Sequence, residues 1–425
     1  MEDIDPKETE TRNEAGRYYS CSSDTYSIES LEGSYSSEND EEQHQKIDAL
    51  KLRIQENNKD WDAYLELINI YRLLGEVDDL RSLRLQFKQQ FPLPKGCYSI
   101  SHLSIEIWIQ WIDDEKQLVS DEEEKESICH LYQAALKDYY SIDLWCQYLG
   151  YVSNSLPSEM QTLTEEAISA CEYDCIDGPR VWSIILEWSK SICQQSETEA
   201  FYRRMLSNPY QSSSDCLEDY KNWHEASGTE VDASAVELGE KSVKSYEDRR
   251  VLQMELTASI EVDHISTALR HFNEYVDFEI QYDKKQGTSR AHFLYQRYAF
   301  TFREMPDFWH SYFLYVCDYV KTTRVCNQVS TRSLRHIVNS GPLYEDRVLS
   351  LELSNKPISF LNELIQEVNR QGLASYYEYL RFYLACLASY RRRVASRESG
   401  ASEALREFCG VCVDWLVGIW RWPDL

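Results

Sequence analysis

The sequence is poor in the residues that break helices. Only 14 glycines and 10 prolines occur among 425 residues. This scarcity disfavours an all-β fold, which needs frequent turns, and favours helices joined by short loops. It also leaves little material for a phosphate-cradling loop, and no GxGxxG, Walker or GxSxG pattern occurs. The sequence therefore predicts an all-α protein, and we expect neither catalytic residues nor a cofactor.

Basic residues are in the minority. The chain has 44 Lys and Arg against 72 Asp and Glu, a net charge of −28. Such a surface repels a phosphate backbone, so we expect only weak contact with RNA and a better fit to basic partners. No stretch resembles the aromatic signature of an RNA-recognition motif.

Long apolar runs and metal-binding cysteine patterns are also missing. The best candidate for a membrane span, residues 408–422, is interrupted by Asp414 and Arg421 and falls short of the roughly 18–20 apolar residues required. Cys409 and Cys412 form the only CxxC pattern among 13 cysteines, and no second such pair is placed to complete a zinc site. The acidic, polar start does not resemble a signal peptide. We therefore expect no membrane insertion, no metal, and reduced thiols in the cytosol or nucleus.

An aromatic doublet with three-residue spacing recurs along the chain. The well-formed copies are Trp61/Tyr64, Trp108/Trp111, Trp145/Tyr148, Phe272/Tyr275 and Trp309/Tyr312. Weaker copies are Trp182/Ile185, Leu217/Tyr220, Tyr344/Arg347 and Tyr377/Leu380. In chain order, subtracting the leading positions gives 47, 37, 37, 35, 55, 37, 35 and 33 residues. Since this spacing places both side chains on one helical face, the pattern predicts stacked helix pairs with the doublets in the core.

Composition and repeat spacing together predict five segments. They are a disordered, acidic, Ser-rich tail (1–46), a first repeat block (47–227), a linker or degenerate repeat (228–261), a second repeat block (262–407) and a truncated or divergent C-terminal helix (408–425). The tail is assigned because high charge with few aliphatic residues cannot offset chain entropy. The third segment is assigned because the gap between Leu217 and Phe272 interrupts the register, and a long connecting helix is an alternative there.

Local signals predict where helices begin and end. Capping-box spacing pairs Ser158 with Gln161 and Ser196 with Glu199. Four prolines fall near junctions between units, where proline is expected to stop a helix: Pro179, Pro209, Pro306 and Pro342.

The doublet, the acidic residues that follow it and the proline near the unit end resemble the half-a-tetratricopeptide (HAT) repeat. Trp108/Trp111 and Trp309/Tyr312 carry the first-helix pattern, and residues 131–136 and 201–206 carry the second. An ordinary tetratricopeptide repeat would show a Leu-Gly-x-x-Tyr pattern instead. The resemblance covers roughly residues 47–407 and implies an α-solenoid of about nine HAT helix pairs.

HAT repeats occur almost only in RNA-processing assemblies. The resemblance therefore implies a non-enzymatic, nuclear protein–protein interaction scaffold, most similar to factors of U4/U6 snRNP assembly or recycling in pre-mRNA splicing. It further implies spliceosomal or snRNP proteins as partners, a homodimer formed through the C-terminal repeats, and contact with a ubiquitin-specific protease and histones. A HAT scaffold of mRNA 3′-end cleavage or ribosomal RNA processing is the alternative. A prenyltransferase α-subunit is disfavoured, because its Asn-x-x-x-Trp-x-x-Arg repeat is not found.

The densest basic cluster lies late in the chain. It comprises Arg391, Arg392, Arg393 and Arg397. These side chains are predicted to contact RNA phosphates or an acidic partner. The alternative is a solvated helix face that pairs with neighbouring acids.

Overall fold

The computed structural model describes residues 37–58, 60–90, 101–119, 122–138, 140–262 and 264–421. Within these ranges the chain forms 19 α-helices and no strand, which confirms the predicted all-α class. Residues 1–36 of the predicted disordered tail lie outside the described part of the chain. None of the helices in that part combines the length and apolar content that a membrane crossing needs.

The described residues from Ser37 to Gln90 form one compact unit with three helices. These are α1 (Ser37–Glu56), α2 (Trp61–Leu74) and α3 (Val77–Gln90). Helix α1 begins ten residues before the predicted boundary at 47, so the last part of the predicted tail is helical. Trp61 and Tyr64 of α2 pack on Phe87 of α3, with ring centroids 4.8 and 5.6 Å apart.

Residues 91–425 form a second compact unit. Its first eight helices are α4 (Ser101–Leu118), α5 (Glu122–Asp138), α6 (Ile142–Ser155), α7 (Met160–Cys171), α8 (Gly178–Ile192), α9 (Gln195–Leu206), α10 (Ser213–Ser227) and α11 (Ala233–Glu261). The remaining eight are α12 (Ile265–Tyr282), α13 (Gly287–Tyr298), α14 (Pro306–Tyr315), α15 (Thr323–His336), α16 (Gly341–Leu353), α17 (Ile358–Gln371), α18 (Tyr376–Ala395) and α19 (Ala401–Arg421). A π-helical turn, Val316–Val320, extends α14.

The helices are arranged in pairs, as the repeat pattern of the sequence predicts. Each even-numbered helix packs against the odd-numbered helix that follows it, and in three places consecutive first helices also pack together: α6 with α8, α14 with α16, and α16 with α18. Counting α2/α3 in the first unit, the described residues form nine such pairs. The predicted number is confirmed, and each predicted doublet begins on the first helix of its pair.

The doublets form the core, with one exception. Both members are buried in four of the five well-formed copies, and in the remaining copy Tyr64 is buried and Trp61 is half-buried. Tyr377, however, is 63% exposed. The residues of α18 that face the core are Tyr379 and Phe382, which have the same spacing and follow Tyr344 by 35 residues (379 − 344). The predicted copy was wrong by two residues, because three nearby tyrosines offer competing registers.

The predicted linker at residues 228–261 is instead mostly one long helix. Helix α11 runs for 29 residues and is capped by Asp232, whose carboxylate accepts the N–H of Ser234 at 2.8 Å. Its start lies in one apolar cluster through Ala235, and its last third lies in the next cluster through Leu256. The small, acidic sequence at its start resembles a linker because only a few of its residues reach a core.

Two further local predictions need correction. Helices α7 and α9 have no side-chain cap, so the capping boxes at Ser158 and Ser196 do not form. Pro179, Pro306 and Pro342 lie in the first turn of α8, α14 and α16 rather than ending the preceding helix. A first-turn N–H has no intrahelical acceptor, so proline loses nothing there.

Candidate functional site

Helix α15 differs in charge from the rest of the acidic chain. It carries Arg324, Arg332 and Arg335 without an acidic residue. The surrounding sequence, residues 319–344, also lacks Asp and Glu. In a chain of net charge −28, this segment concentrates positive charge on one element.

One face of α15 lines a cavity of about 370 Å³. Arg332 and Arg335 of α15, Lys137 of α5, and His292 and Gln296 of α13 contribute its basic and amide groups. No Asp or Glu is among the side chains that line it. The cavity therefore presents cations and hydrogen-bond donors to solvent.

A second cavity, of about 450 Å³, shares His292 and Gln296 with the first. Its walls add the hydroxyl-bearing residues Ser169, Tyr173, Thr288 and Ser289, and the rings of Phe293 and Tyr319. Its one acid, Glu172, already accepts a hydrogen bond from Arg204 at 2.9 Å. Because the two cavities share a wall, we treat them as one groove and call it the α13/α15 groove.

An ion pair beside the groove ties helix α13 to the loop that follows α7. Asp174, in the loop between α7 and α8, is 1% exposed and lies 2.6 Å from the guanidinium of Arg297 on α13. Tyr140 donates its hydroxyl to the same carboxylate at 2.8 Å, and its ring meets the edge of Phe293. The backbone N–H groups of Ile176 and Asp177 donate to Asp174 as well. Asp174 thus joins segments 123 residues apart in sequence, whereas most repeat units touch only their neighbours.

The same network sets the protonation of its members. Burial opposes the charge of Arg297, but Asp174 outweighs that effect and raises the pKa of the guanidinium. Burial, reinforced by Asp174, raises the pKa of Tyr140 well above its usual range. Arg297 is therefore protonated and the Tyr140 phenol is neutral at physiological pH.

The positive charge of the groove comes from its lysine and arginines rather than from histidine. Burial lowers the pKa of His292. Burial, followed by the charge of Arg332, lowers the pKa of nearby His336 to about 3. Both imidazoles are thus neutral at physiological pH. Neither Lys137 nor Arg335 forms an ion pair with another residue in the described part of the chain, so both cations are available to a ligand.

The four arginines that the sequence singled out lie together at the end of α18, but two of them serve the fold. Arg392 makes a two-pronged contact with Glu352, at 2.6 and 2.7 Å. Arg393 is buried and donates to the carbonyl of Lys356 and to Glu398, at 2.9 and 2.8 Å. Arg391 and Arg397 are exposed. Binding of RNA or an acidic partner at this cluster stays a prediction, and only these two side chains are free to serve it.

One exposed cluster could ligate a metal. Within the described ranges, Glu255, His271 and Glu274 place three donor atoms within 4.8 Å of one another. His271 Nδ1 lies 3.7 Å from a carboxylate oxygen of Glu255. All eleven cysteines of the described residues are free thiols, including exposed Cys409 and half-buried Cys412.

The sequence prediction missed the α13/α15 groove for a definable reason. That prediction depends on arginines that are clustered in sequence. The cations of the groove instead come from α5 and α15, almost 200 residues apart (332 − 137 = 195). The acid-free run at residues 319–344 was the one signal present in the sequence.

Comparison with known proteins agrees with the repeat pattern. Residues 48–222 match the family model described as the PRP39 N-terminal HAT repeat. Spliceosome associated factor 3, the U4/U6 recycling protein, is 24% identical over 369 residues in Mus musculus and 22% identical over 366 residues in Homo sapiens. Each alignment covers 84% of this chain and 36% of the relative. The chain thus spans about a third of the length of these relatives.

Two further proteins are similar to this chain. The mRNA 3′-end-processing protein rna14 of Schizosaccharomyces pombe is 24% identical over 191 residues, which cover 41% of this chain and 24% of rna14. The crystal structure of CSTF-77 covers 76% of this chain and 74% of its own, with 14% identity and a TM-score of 0.43. The chain therefore resembles HAT-repeat proteins: the HAT model matches residues 48–222, and spliceosome associated factor 3 is similar to the chain over 84% of its length.

Proposed function

We propose that this chain is a non-enzymatic scaffold of nuclear RNA processing that acts in pre-mRNA splicing, through U4/U6 snRNP assembly or recycling. The observation that carries the proposal is the similarity to spliceosome associated factor 3 over 84% of the chain. The fold supports it, because the aromatic doublets are buried in the core and the remaining helix faces are left for partners.

The test is recovery of complexes from nuclear extract with the tagged full chain. We expect U4 and U6 snRNAs and their proteins to co-purify in excess over a tag-only control. Recovery of 3′-end cleavage factors without U4 or U6 would contradict the splicing assignment. That result would support the second candidate, a scaffold of mRNA 3′-end processing, which the similarity to rna14 favours.

The partners follow from the same proposal. Spliceosomal or snRNP proteins would bind the repeats, and the net charge of −28 suits basic partners such as histones. A ubiquitin-specific protease and a homodimer through the C-terminal repeats complete the proposed contacts. Sedimentation equilibrium tests the dimer, and microscopy of a fluorescent fusion tests nuclear localisation.

The C-terminal arginines are proposed as a minor contact. Arg391 and Arg397 are exposed, and they would meet RNA or an acidic partner beside α18. If they do, the double substitution Arg391→Gln/Arg397→Gln weakens retention of the partner. Retention equal to that of the unsubstituted chain would remove the cluster from the functional surface.

A further inference from the structure

We propose that the α13/α15 groove binds a short, extended acidic peptide of a partner protein, with an apolar side chain next to its carboxylates. This inference rests on the proposed scaffold function and names a site and a ligand chemistry for it.

The positive charge of the first cavity favours an acidic ligand. Lys137 and Arg335 form no ion pair with other described residues, and Arg332 lies beside them at the same cavity. Three cations on one concave surface, without an acid among its lining residues, attract carboxylates. Arginine also offers a planar fork of donors that matches a carboxylate.

The adjoining cavity is lined by hydroxyl-bearing and aromatic residues. Among them are Ser169 and Ser289, the buried ring of Phe293 and the exposed ring of Tyr319. Tyr319 is 49% exposed and stacks on Tyr315, with centroids 5.2 Å apart. This combination suits a peptide backbone, which forms hydrogen bonds, and one apolar side chain, which packs on the rings.

The acidic surface of the chain favours a short peptide over RNA as the ligand. A long polyanion placed in the groove would extend over a surface of net charge −28 and be repelled there. A peptide of a few residues places its carboxylates at the three cations and leaves the acidic surface untouched. The contact of Asp174 with Arg297 ties the loop after α7, which carries Tyr173 of the second cavity, to α13 before a ligand arrives, which lowers the ordering cost of binding.

The experiment measures binding of a fluorescent probe to the purified full chain by anisotropy. The probe is an eight-residue peptide that combines Asp and Glu with one Phe. Its comparison probes are the same peptide with Asn and Gln in place of the acids, and an oligouridine of similar length. We expect the acidic peptide to bind, to weaken as salt is raised, and to outcompete both comparison probes.

Substitutions locate the site. Lys137→Gln/Arg335→Gln is expected to weaken binding about tenfold or more, since two charge-assisted contacts are lost. The matched control is Arg324→Gln, which removes an exposed cation from α15 at a position that does not line the groove. That control is expected to change the dissociation constant by less than about twofold. Circular dichroism and thermal melts establish that each variant is folded.

Three outcomes would overturn the proposal. They are equal binding of the acidic and the neutral peptide, equal loss in the Arg324 and the groove variants, and tighter binding of oligouridine that the groove substitutions abolish. The last result would instead make the groove an RNA site. Because the assay uses purified components, its failure is distinct from a failure to recover U4/U6 complexes from extract.

Discussion

Asp174 and Arg297 are two charges that have been withdrawn almost completely from water. The carboxylate accepts hydrogen bonds from Arg297, Tyr140 and two backbone N–H groups, so its lone pairs are well satisfied. A buried pair of this kind adds little net stability compared with an apolar pair, but removal of one partner leaves an uncompensated charge. Loss of one partner should therefore cost more stability than the intact pair contributes.

Arg297→Met is expected to lower the free energy of unfolding by about 3–5 kcal/mol, because Asp174 is left buried without its counter-ion. Chemical denaturation measures the change. The matched control is Arg180→Met, which removes an exposed arginine whose pair with Asp143 has a similar distance, 2.6 Å, and it should cost less than about 1 kcal/mol. Adding Asp174→Asn to Arg297→Met should restore part of the loss. Equal costs for the two arginine variants would contradict a stabilising role for the buried contact.

A second pair of residues makes stability depend on pH. His310 lies 3.0 Å from the buried carboxylate of Asp346. The hydrogen bond to Asp346 raises the pKa of His310 above its usual 6.5. Burial raises the pKa of Asp346 to about 6, in spite of its histidine partner. A group whose pKa is higher in the folded state than in the unfolded state stabilises the fold at low pH. That contribution is lost as the pH rises through the folded-state pKa.

The pair should therefore contribute less to stability as pH rises from about 6 to about 8. We compare the melting temperatures of the unsubstituted chain and Asp346→Asn across this range. The unsubstituted chain should lose more stability with rising pH, because deprotonation of His310 leaves the Asp346 carboxylate buried beside a neutral ring. Parallel pH profiles for the two proteins would refute the assignment.

At the scale of elements, close helix crossings depend on two glycines that begin helices. Gly341, the first residue of α16, lies against α18, where an added Cβ would come within 2.5 Å of the carbonyl oxygen of Glu378 and 2.9 Å of its Cα. Gly287 begins α13 equally close to the backbone of Glu279. Backbone atoms cannot rotate away as a side chain can, so a methyl group at either position must displace a helix.

Gly341→Ala is expected to destabilise the chain by about 1–3 kcal/mol through this overlap. Gly150→Ala, inside α6, serves as the control, since no heavy atom lies within 4 Å of the added methyl group. That control should stabilise the chain by about 0.5–1 kcal/mol, because alanine has the better helix propensity. The two changes should therefore move the thermal midpoint in opposite directions. Shifts of the same sign would show that the α16–α18 crossing accommodates the methyl group.

The elements were largely predictable, and the exceptions have physical causes. The doublets marked all nine first helices, since their burial follows from a local 3.6-residue period. The register of α18 was misassigned because Tyr376, Tyr377 and Tyr379 compete for one core face. The start of α11, up to Glu240, resembled a linker, because a helix that contributes only a few residues to each of two cores shows no continuous apolar stripe.

At the scale of the whole molecule, the contact between Asp174 and Arg297 gives residues 91–425 an organisation that local periodicity does not contain. Arrays of repeats commonly open from one end, because each unit depends on its neighbours alone. Here the loop before α8 and helix α13 are tied together directly. The α13/α15 groove exists because of such long-range placement, so sequence spacing could not predict it.

Hydrogen exchange tests this organisation. In Arg297→Met, amide exchange should become faster in residues 171–178 and in α13 together, because both lose the same anchor. Helices α16 and α18, which lie in a separate apolar cluster, should keep the rates of the unsubstituted chain. Faster exchange confined to α13 would show that the contact does not couple the two segments.

Helix α11 has a consequence for how partners are spaced. At about 1.5 Å per residue, its 29 residues make a rod roughly 43 Å long that contributes to one core near its start and to the next near its end. No flexible joint separates those cores, since bending there would require breaking backbone hydrogen bonds inside a helix. Proteins that bind beside the two cores would therefore be held at a fixed separation. The chain would then set the distance between its partners as well as bind them.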